Sequence, residues 1–332
     1  MKEYIEYTAQ QFNLDALLRL RSTIIALKPD ILVYLMPVRT TRQLIRDWFF
    51  FKLCGIPKII GLKFSKIHQT RLYDYNADLW EQEGHRLGRL VEELGPIDFE
   101  DSKSWSLALS EQEQIAARRV LHGIMNKPFF ALSIGSKIEI KDWGEDRWLE
   151  LTQRLAATYP DYGLVLIGSH DEFNRCNCVA QQWKGLTLNL CGKLTPRVSA
   201  AVLKQAELFV GHDSGPMHLA AAVGTPLVAI FSALNKPGEW YPWGKQHKVL
   251  YNRTECFGCH LETCVAMRKK CIRGISVESV FNAVIDLLGY VNIQPGKLYG
   301  RTLKPEDMTD FLDKADDVEC FRVTQSGAVV SK

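Results

Sequence analysis

The stretch 211–226 constrains this chain more than any other. It reads Gly-His-Asp-Ser-Gly-Pro-Met-His-Leu-Ala-Ala-Ala-Val-Gly-Thr-Pro. The strand-forming run Leu208, Phe209, Val210 leads into it, a turn follows at 213–216, and an Ala-rich helix continues from His218 to Val223. Gly224, Thr225 and Pro226 stop that helix, and Leu227 to Phe231 reads as the next buried strand. Strand, tight turn and helix in that order put free backbone N–H groups and the positive helix end at the carboxyl edge of a parallel sheet. Phosphates bind there in α/β proteins. Taken alone, the pattern also fits an ordinary strand-to-helix turn of a Rossmann-like domain, because fold does not fix function.

The bulk numbers narrow the classes. With 332 residues the chain has room for two domains, each with a sizeable core. Its 41 basic and 38 acidic residues give a net charge of +3, so no global field argues for a nucleic-acid partner. No apolar run approaches the roughly 20 residues of a membrane span. The N-terminus, Met-Lys-Glu-Tyr-Ile-Glu-Tyr, has no apolar signal core, which leads us to expect a cytoplasmic protein. Nine cysteines, an odd number in a large chain, speak against a secreted disulfide framework.

Strands and helices alternate along the chain, as in parallel sheets covered on both faces. The periodicity predicts helices over 13–27, 40–53 and 76–94, with strands at 31–35 and 58–62. Residues 95–105 are turn-like, and a helix is expected over 111–125. Asn126, Lys127 and Pro128 mark the expected boundary, giving a first domain over 1–127 and a second over 128–289. The second is expected to hold strands at 129–133, 164–167 and 186–190, helices at 146–158, 173–183 and 198–205, then the 211–226 block and a closing helix at 277–288. Residues 290–332 are mixed and polar and read as a tail.

Asp-Ser-Gly-x-x-His followed by Ala-Ala-Ala-x-Gly-x-Pro resembles the signature of the glycosyltransferase family 9 heptosyltransferases. The resemblance covers about residues 10–290 and is specific in the second half. It implies an α/β, GT-B-like fold: two Rossmann-like domains whose parallel sheets face a cleft, with nucleotide-sugar donor binding in the C-terminal one. It implies transfer of a heptose from ADP-heptose to a lipopolysaccharide core acceptor, with inversion and without a catalytic metal. A cytoplasmic enzyme touching the inner membrane face is the corresponding setting. The family ordinarily carries a further βαβ unit ahead of the point where this chain starts, with a Gly-rich first turn and an Asp that acts as base. The sequence shows no substitute for them, so the resemblance implies a shortened N-terminal, acceptor-side domain and leaves the general base unassigned. Two other functions share these motifs: transfer to a protein or another glycan, and a catalytically inactive nucleotide-sugar-binding protein.

By position, the resemblance assigns Ser136 and Lys141 to the donor phosphates, with Lys137 where the family often has a small residue. A turn of small residues after a strand, with a lysine following, suits phosphate oxygens; a solvated loop with two lysines is the plainer reading. Within the signature, Ser214 and Gly215 present N–H groups, and His218 stabilises the leaving diphosphate or serves the helix start. Asp213 either shapes the turn or binds a hydroxyl of the donor or an amine of the acceptor. Glu172 matches an acidic residue on the nucleoside side, where it accepts from ribose hydroxyls or complements a helix dipole. Leu194 lies where the family's strand end meets the adenine, or is core.

Cys256, Cys259, Cys264 and Cys271 form a second cluster, opening with Cys-x-x-Cys. The spacing suits a structural zinc or iron ion, with His260 as a substitute ligand, or a set of reduced thiols. Some relatives that glycosylate proteins bind iron there. The run Arg46 to Lys52, with Lys58, Lys63 and Lys66, mixes basic and aromatic residues. It reads first as a buried helix with a snorkelling lysine and second as a membrane contact.

Overall fold

The structure is a computed structural model, and it describes residues 14–124, 127–293, 319–323 and 329–331. The chain separates into two compact units: one comprises residues up to Asp74 together with Trp80–Glu100, the other Tyr75–Leu79 and residues from Asp101 onward.

The first unit contains α1 (Leu14–Leu27), β1 (Ile31–Val33), α2 (Thr41–Leu53), β2 (Lys58–Ile60), α3 (Lys66–Gln69), β3 (Tyr73–Asp74) and α4 (Glu83–Leu90), and β4 (Leu79–Trp80) straddles its edge. β1 and β2 pair in parallel, Ile31 opposite Lys58 and Val33 opposite Ile60. Thr40 and Gln43 form a capping box that fixes the start of α2. Gly61 follows β2 at φ +88, where a Cβ would lie 2.6 Å from the Tyr34 carbonyl oxygen, so only glycine fits. Arg86 is fully buried and is held by Glu83 at 2.6 and 2.8 Å and by the Met36 carbonyl at 2.8 Å.

Two expectations fail in this unit. The helix expected over 76–94 is cut to Glu83–Leu90, because a hairpin precedes it: the Glu81 N–H donates to the Leu72 carbonyl and Asp78 turns at φ 52. The helix expected to be buried around Arg46–Lys52 buries only Leu44, and Phe49 and Leu53 are each 58% exposed. A two-stranded sheet has too little area to cover it. Lys52 does fold back, onto the Ile56 and Pro57 carbonyls.

The second unit begins with α5 (Glu111–Val120) and runs β5 (Phe129–Ser133), α6 (Glu145–Thr158), β6 (Gly163–Leu166), α7 (Phe173–Ala180), β7 (Thr187–Asn189), α8 (Pro196–Leu203), β8 (Leu208–His212), α9 (Gly215–Ala222), β9 (Leu227–Phe231), β10 (His247–Tyr251), α10 (Lys270–Arg273) and α11 (Val277–Ile293). The expected boundary at 127/128 falls behind α5, whereas the division into units falls ahead of it. The reason lies in the spacing of Ala117, Leu121 and Ile124, which face one way and join the core of this unit.

The strand order is β10-β9-β8-β5-β6-β7, all parallel. Beyond β10 two antiparallel strands, β11 (Glu319–Val323) and β12 (Val329–Ser331), extend the sheet. They come from the segment read as a tail, whose first residues end α11 at Ile293; the rest of that segment lies outside the described residues. Every residue of β5, β8 and β9 is buried. Each Leu, Ile, Val or Phe so placed is worth roughly 1.5–3 kcal/mol. That burial on both faces explains why these strands read as continuous apolar runs with no alternation.

Candidate functional site

The order 7-6-5-8-9-10 reverses direction between β5 and β8. In an open parallel sheet such a switch point leaves a crevice at the carboxyl ends of the two diverging strands, and ligands bind there. Two loops flank it here. One follows β5 and contains Ser136 and Lys141; the other follows β8 and contains Asp213, Ser214 and Gly215, ahead of His218 on α9.

The two loops interlock. The Lys141 ammonium donates to the Asp213 carboxylate at 2.7 Å and to the Asp213 carbonyl at 3.2 Å. Their side chains are 14% and 7% exposed, so the pair is largely shielded from water. Beneath it lies His212, fully buried. Its Nε2 accepts from the Trp143 N–H at 3.1 Å, so the proton sits on Nδ1, which donates to the Gly135 carbonyl at 3.2 Å. One imidazole thereby holds both ends of the segment that carries Ser136 and Lys141. Burial drives its pKa down to about 4, so the ring is neutral. Trp148 packs edge-on against it at 5.2 Å. Asp142, next to Lys141, takes two hydrogen bonds from Arg175 at 3.0 and 2.8 Å. Burial acts against its charged form, but Arg175 outweighs burial and holds the carboxyl below its usual range.

Ser136 is partly occupied. Its hydroxyl donates to the Ile138 carbonyl at 3.0 Å and accepts from the Ile138 N–H at 3.2 Å, a local turn that shapes the loop. Ser214 stands at the N-cap of α9 without capping it through its side chain. Its hydroxyl donates instead to the His212 carbonyl at 3.2 Å. Pro216 brings no N–H. Gly215 is exposed, with nothing within 4 Å of where a Cβ would stand, so the helix start is open to a ligand. His218 lies one turn in. Burial lowers its pKa first; Asp213 pulls it up and Lys141 pushes it down.

Glu172 belongs to the neighbouring loop, after β6. Its carboxylate accepts from the Ser169 N–H at 2.9 Å and closes a capping box. It also lies directly over Gly135 and Gly168: a Cβ on either would approach it within 2.0 Å. Glycine at both positions is what lets the carboxylate bridge the β5 and β6 loops. Leu194, after β7, is partly buried against the core. So the structure brings together Lys141, Asp213 and His218, keeps Ser136, Ser214 and Gly215 on the same two loops, and sets Glu172 and Leu194 on the side of β6 and β7. The sequence reading missed His212, although it stands inside the signature block, because a fully buried strand shows no alternation to mark its inward side chain.

The four cysteines form a different site. Cys256, Cys259, Cys264 and Cys271 all line one pocket of about 170 Å³, together with Ile140, Ala233, Leu261, Ala266, Met267 and Lys270. Among the described residues no group of three or more His, Cys, Asp or Glu side chains is arranged to hold a metal ion. The thiols line an apolar cavity, and His260 is exposed, at φ 53.

The family model of glycosyltransferase family 9 (heptosyltransferase) matches residues 45–270. This chain belongs to that family. It is 32% identical over 129 residues to lipooligosaccharide heptosyltransferase 2 of Campylobacter jejuni, a match covering 38% of this chain and 40% of that relative. The chain thus spans about two fifths of the length of that curated relative. Among solved structures it is similar to a family 9 glycosyl transferase from Veillonella parvula (TM-score 0.60, 20% identity, 86% of this chain and 81% of that one). It is also similar to the ADP-heptose lipopolysaccharide heptosyltransferase II of Escherichia coli (TM-score 0.56, 18% identity, 81% and 80%). At these identities the likeness is one of fold, and the fold is α/β and GT-B-like.

Proposed function

We propose that this chain is a glycosyltransferase that moves a heptose from ADP-heptose to a hydroxyl of a lipopolysaccharide core acceptor, with inversion at the sugar carbon. The observation that carries this reading is the interlocked Lys141–Asp213 pair at the switch point, beside the open start of α9 and His218. Breaking the bond between the anomeric carbon and the diphosphate builds negative charge on the leaving group. The N–H groups of Ser214 and Gly215, the positive end of α9, Lys141 and His218 are placed to meet that charge before it forms, so little reorganisation is needed. Lys141 has three N–H donors, so it can keep Asp213 and still reach a phosphate oxygen. The acceptor hydroxyl still needs a base, and that role is unassigned.

The relatives' names support the donor and acceptor chosen here, since they carry ADP-heptose and lipopolysaccharide. The proposed setting is the cytoplasmic face of the inner membrane. Among the described residues no helix is long and apolar enough to cross a membrane. α2 exposes Ile45, Trp48, Phe49 and Leu53 alongside Arg42 and Arg46, a combination suited to an anionic lipid surface. Because no base is assigned, a nucleotide-sugar-binding protein without turnover is the second reading.

Titration of the protein with ADP, UDP and GDP in metal-free buffer tests the donor, and ADP release from ADP-heptose with a heptose-free core acceptor tests transfer. The proposal expects ADP to bind selectively and to be released only when acceptor is present. Binding without release favours the second reading. Binding of none of the three nucleotides removes the donor site and the proposed transfer with it.

A further inference from the structure

We infer that Trp240 is the platform against which the donor's sugar stacks, an inference that rests on the donor site proposed above. The sheet itself supplies the argument. All six parallel strands point their carboxyl ends to one edge, so their loops follow one another there in strand order. A nucleoside-diphosphate sugar is a linear molecule, with the base at one end and the sugar at the other. If the diphosphate lies at the β5/β8 switch point, the two ends must lie over the loops on either side. Glu172 and Leu194, which the family resemblance assigns to the nucleoside, belong to the β6 and β7 side. The sugar then falls on the opposite side, over the loop that follows β9.

That loop is built around aromatic residues, and Trp240 is placed differently from its neighbours. Tyr241 is buried and packs edge-on against Phe231 at 5.1 Å and Tyr251 at 6.4 Å. Trp243 stacks on Trp105 at 5.6 Å, with 20° between the rings. Turns closed by the Glu239 N–H to the Lys236 carbonyl and the Tyr241 N–H to the Gly238 carbonyl hold the segment between them. Trp240, set in this pinned segment, is 37% exposed, and its indole meets the His218 ring edge-on at 6.4 Å. An indole on a fixed backbone, partly bare to water and touching the histidine assigned to the diphosphate, has the properties a sugar platform requires. The C–H bonds on one side of a pyranose ring carry partial positive charge and are drawn to the negative face of an indole. A fixed ring also gives that contact at small entropic cost.

The test compares ADP with ADP-heptose and ADP-glucose, by calorimetry, on the wild type, Trp240→Ala and Trp240→Phe. Thermal melting confirms that each variant folds. The inference expects ADP-sugars to lose about tenfold in affinity in the alanine variant. ADP itself should change by less than about twofold, and phenylalanine should restore most of the loss. An equal loss for ADP and the ADP-sugars would make Trp240 a structural support of His218 and overturn the inference. So would unchanged affinity for all three ligands. Failure of the donor site itself reads differently: the wild type would bind neither ADP nor the ADP-sugars.

Discussion

The switch-point loops and the cysteine pocket both concentrate chemistry-bearing residues, and they are organised in opposite ways. At the switch point each polar group is held by another: Lys141 by Asp213, the two ends of the β5 loop by His212, Asp142 by Arg175. In the pocket four thiols share a cavity with Ile140, Ala233 and Leu261 but form no metal-holding set among the described residues. The difference teaches that spacing in sequence brings residues near one another, whereas a site also needs mutual geometry. The cysteines are the denser cluster in the sequence, yet the switch point joins residues 72 and 77 positions apart. The two regions also touch. The Ile140 N–H donates to the Glu262 carbonyl, and Lys269 pairs with Glu139 at 2.8 Å, so the cysteine segment braces the outer side of the β5 loop.

The largest expected effect comes from His212. His212→Phe leaves the buried Gly135 carbonyl and Trp143 N–H without partners, a cost of about 2–5 kcal/mol that urea unfolding would read. A loss within about 0.5 kcal/mol would mean that the loop holds itself, and the contrast with the cysteine pocket would weaken.

Next is a dependence on pH. His212 and His247 are both buried, and burial lowers each to about 4 from an ordinary 6.5. The native state therefore binds fewer protons than the unfolded one in this window. Their contribution to stability is complete above pH 6.5 and is lost as pH falls toward 4. His212→Phe should flatten the slope of stability between pH 6.5 and 4, leaving the part that His247 and the other lowered histidines, His85 and His218, carry. A variant with the wild-type slope would show that His212 is not the titrating group.

The smallest effect is expected in the cysteine pocket. Cys264→Ala should change stability by less than about 1 kcal/mol, because Cys264 is only partly buried. Treatment with a strong chelator should leave both melting temperature and ADP affinity unmoved. Release of one zinc or iron ion per chain, with a fall in melting temperature, would show that the thiols do close on a metal and would reverse the comparison.

Much of the second unit was legible in the sequence. Apolar runs bounded by Gly and Pro located β5, β6, β8 and β9, whereas the helix expected from 198 starts at Pro196, where the Thr195 side chain caps it and proline fixes φ. The signature block located the loop after β8 for the same reason. Less legible were features set by tertiary contact. The hairpin around Asp78 was hidden under residues that also suit a helix. The pairing of Asp142 with Arg175 joins residues 33 apart, and no local pattern reports it. Trp240 reads in sequence as one aromatic among several, and only packing separates it from Tyr241 and Trp243.

The most direct test of the central claim is ADP affinity, by calorimetry, in Lys141→Ala and His218→Ala against the wild type. If the diphosphate is held at the switch point, each variant should lose about 1–3 kcal/mol, the worth of a charge-assisted hydrogen bond, while remaining folded. Wild-type affinity in both variants would contradict the claim and place the nucleotide, if it binds, elsewhere on the chain.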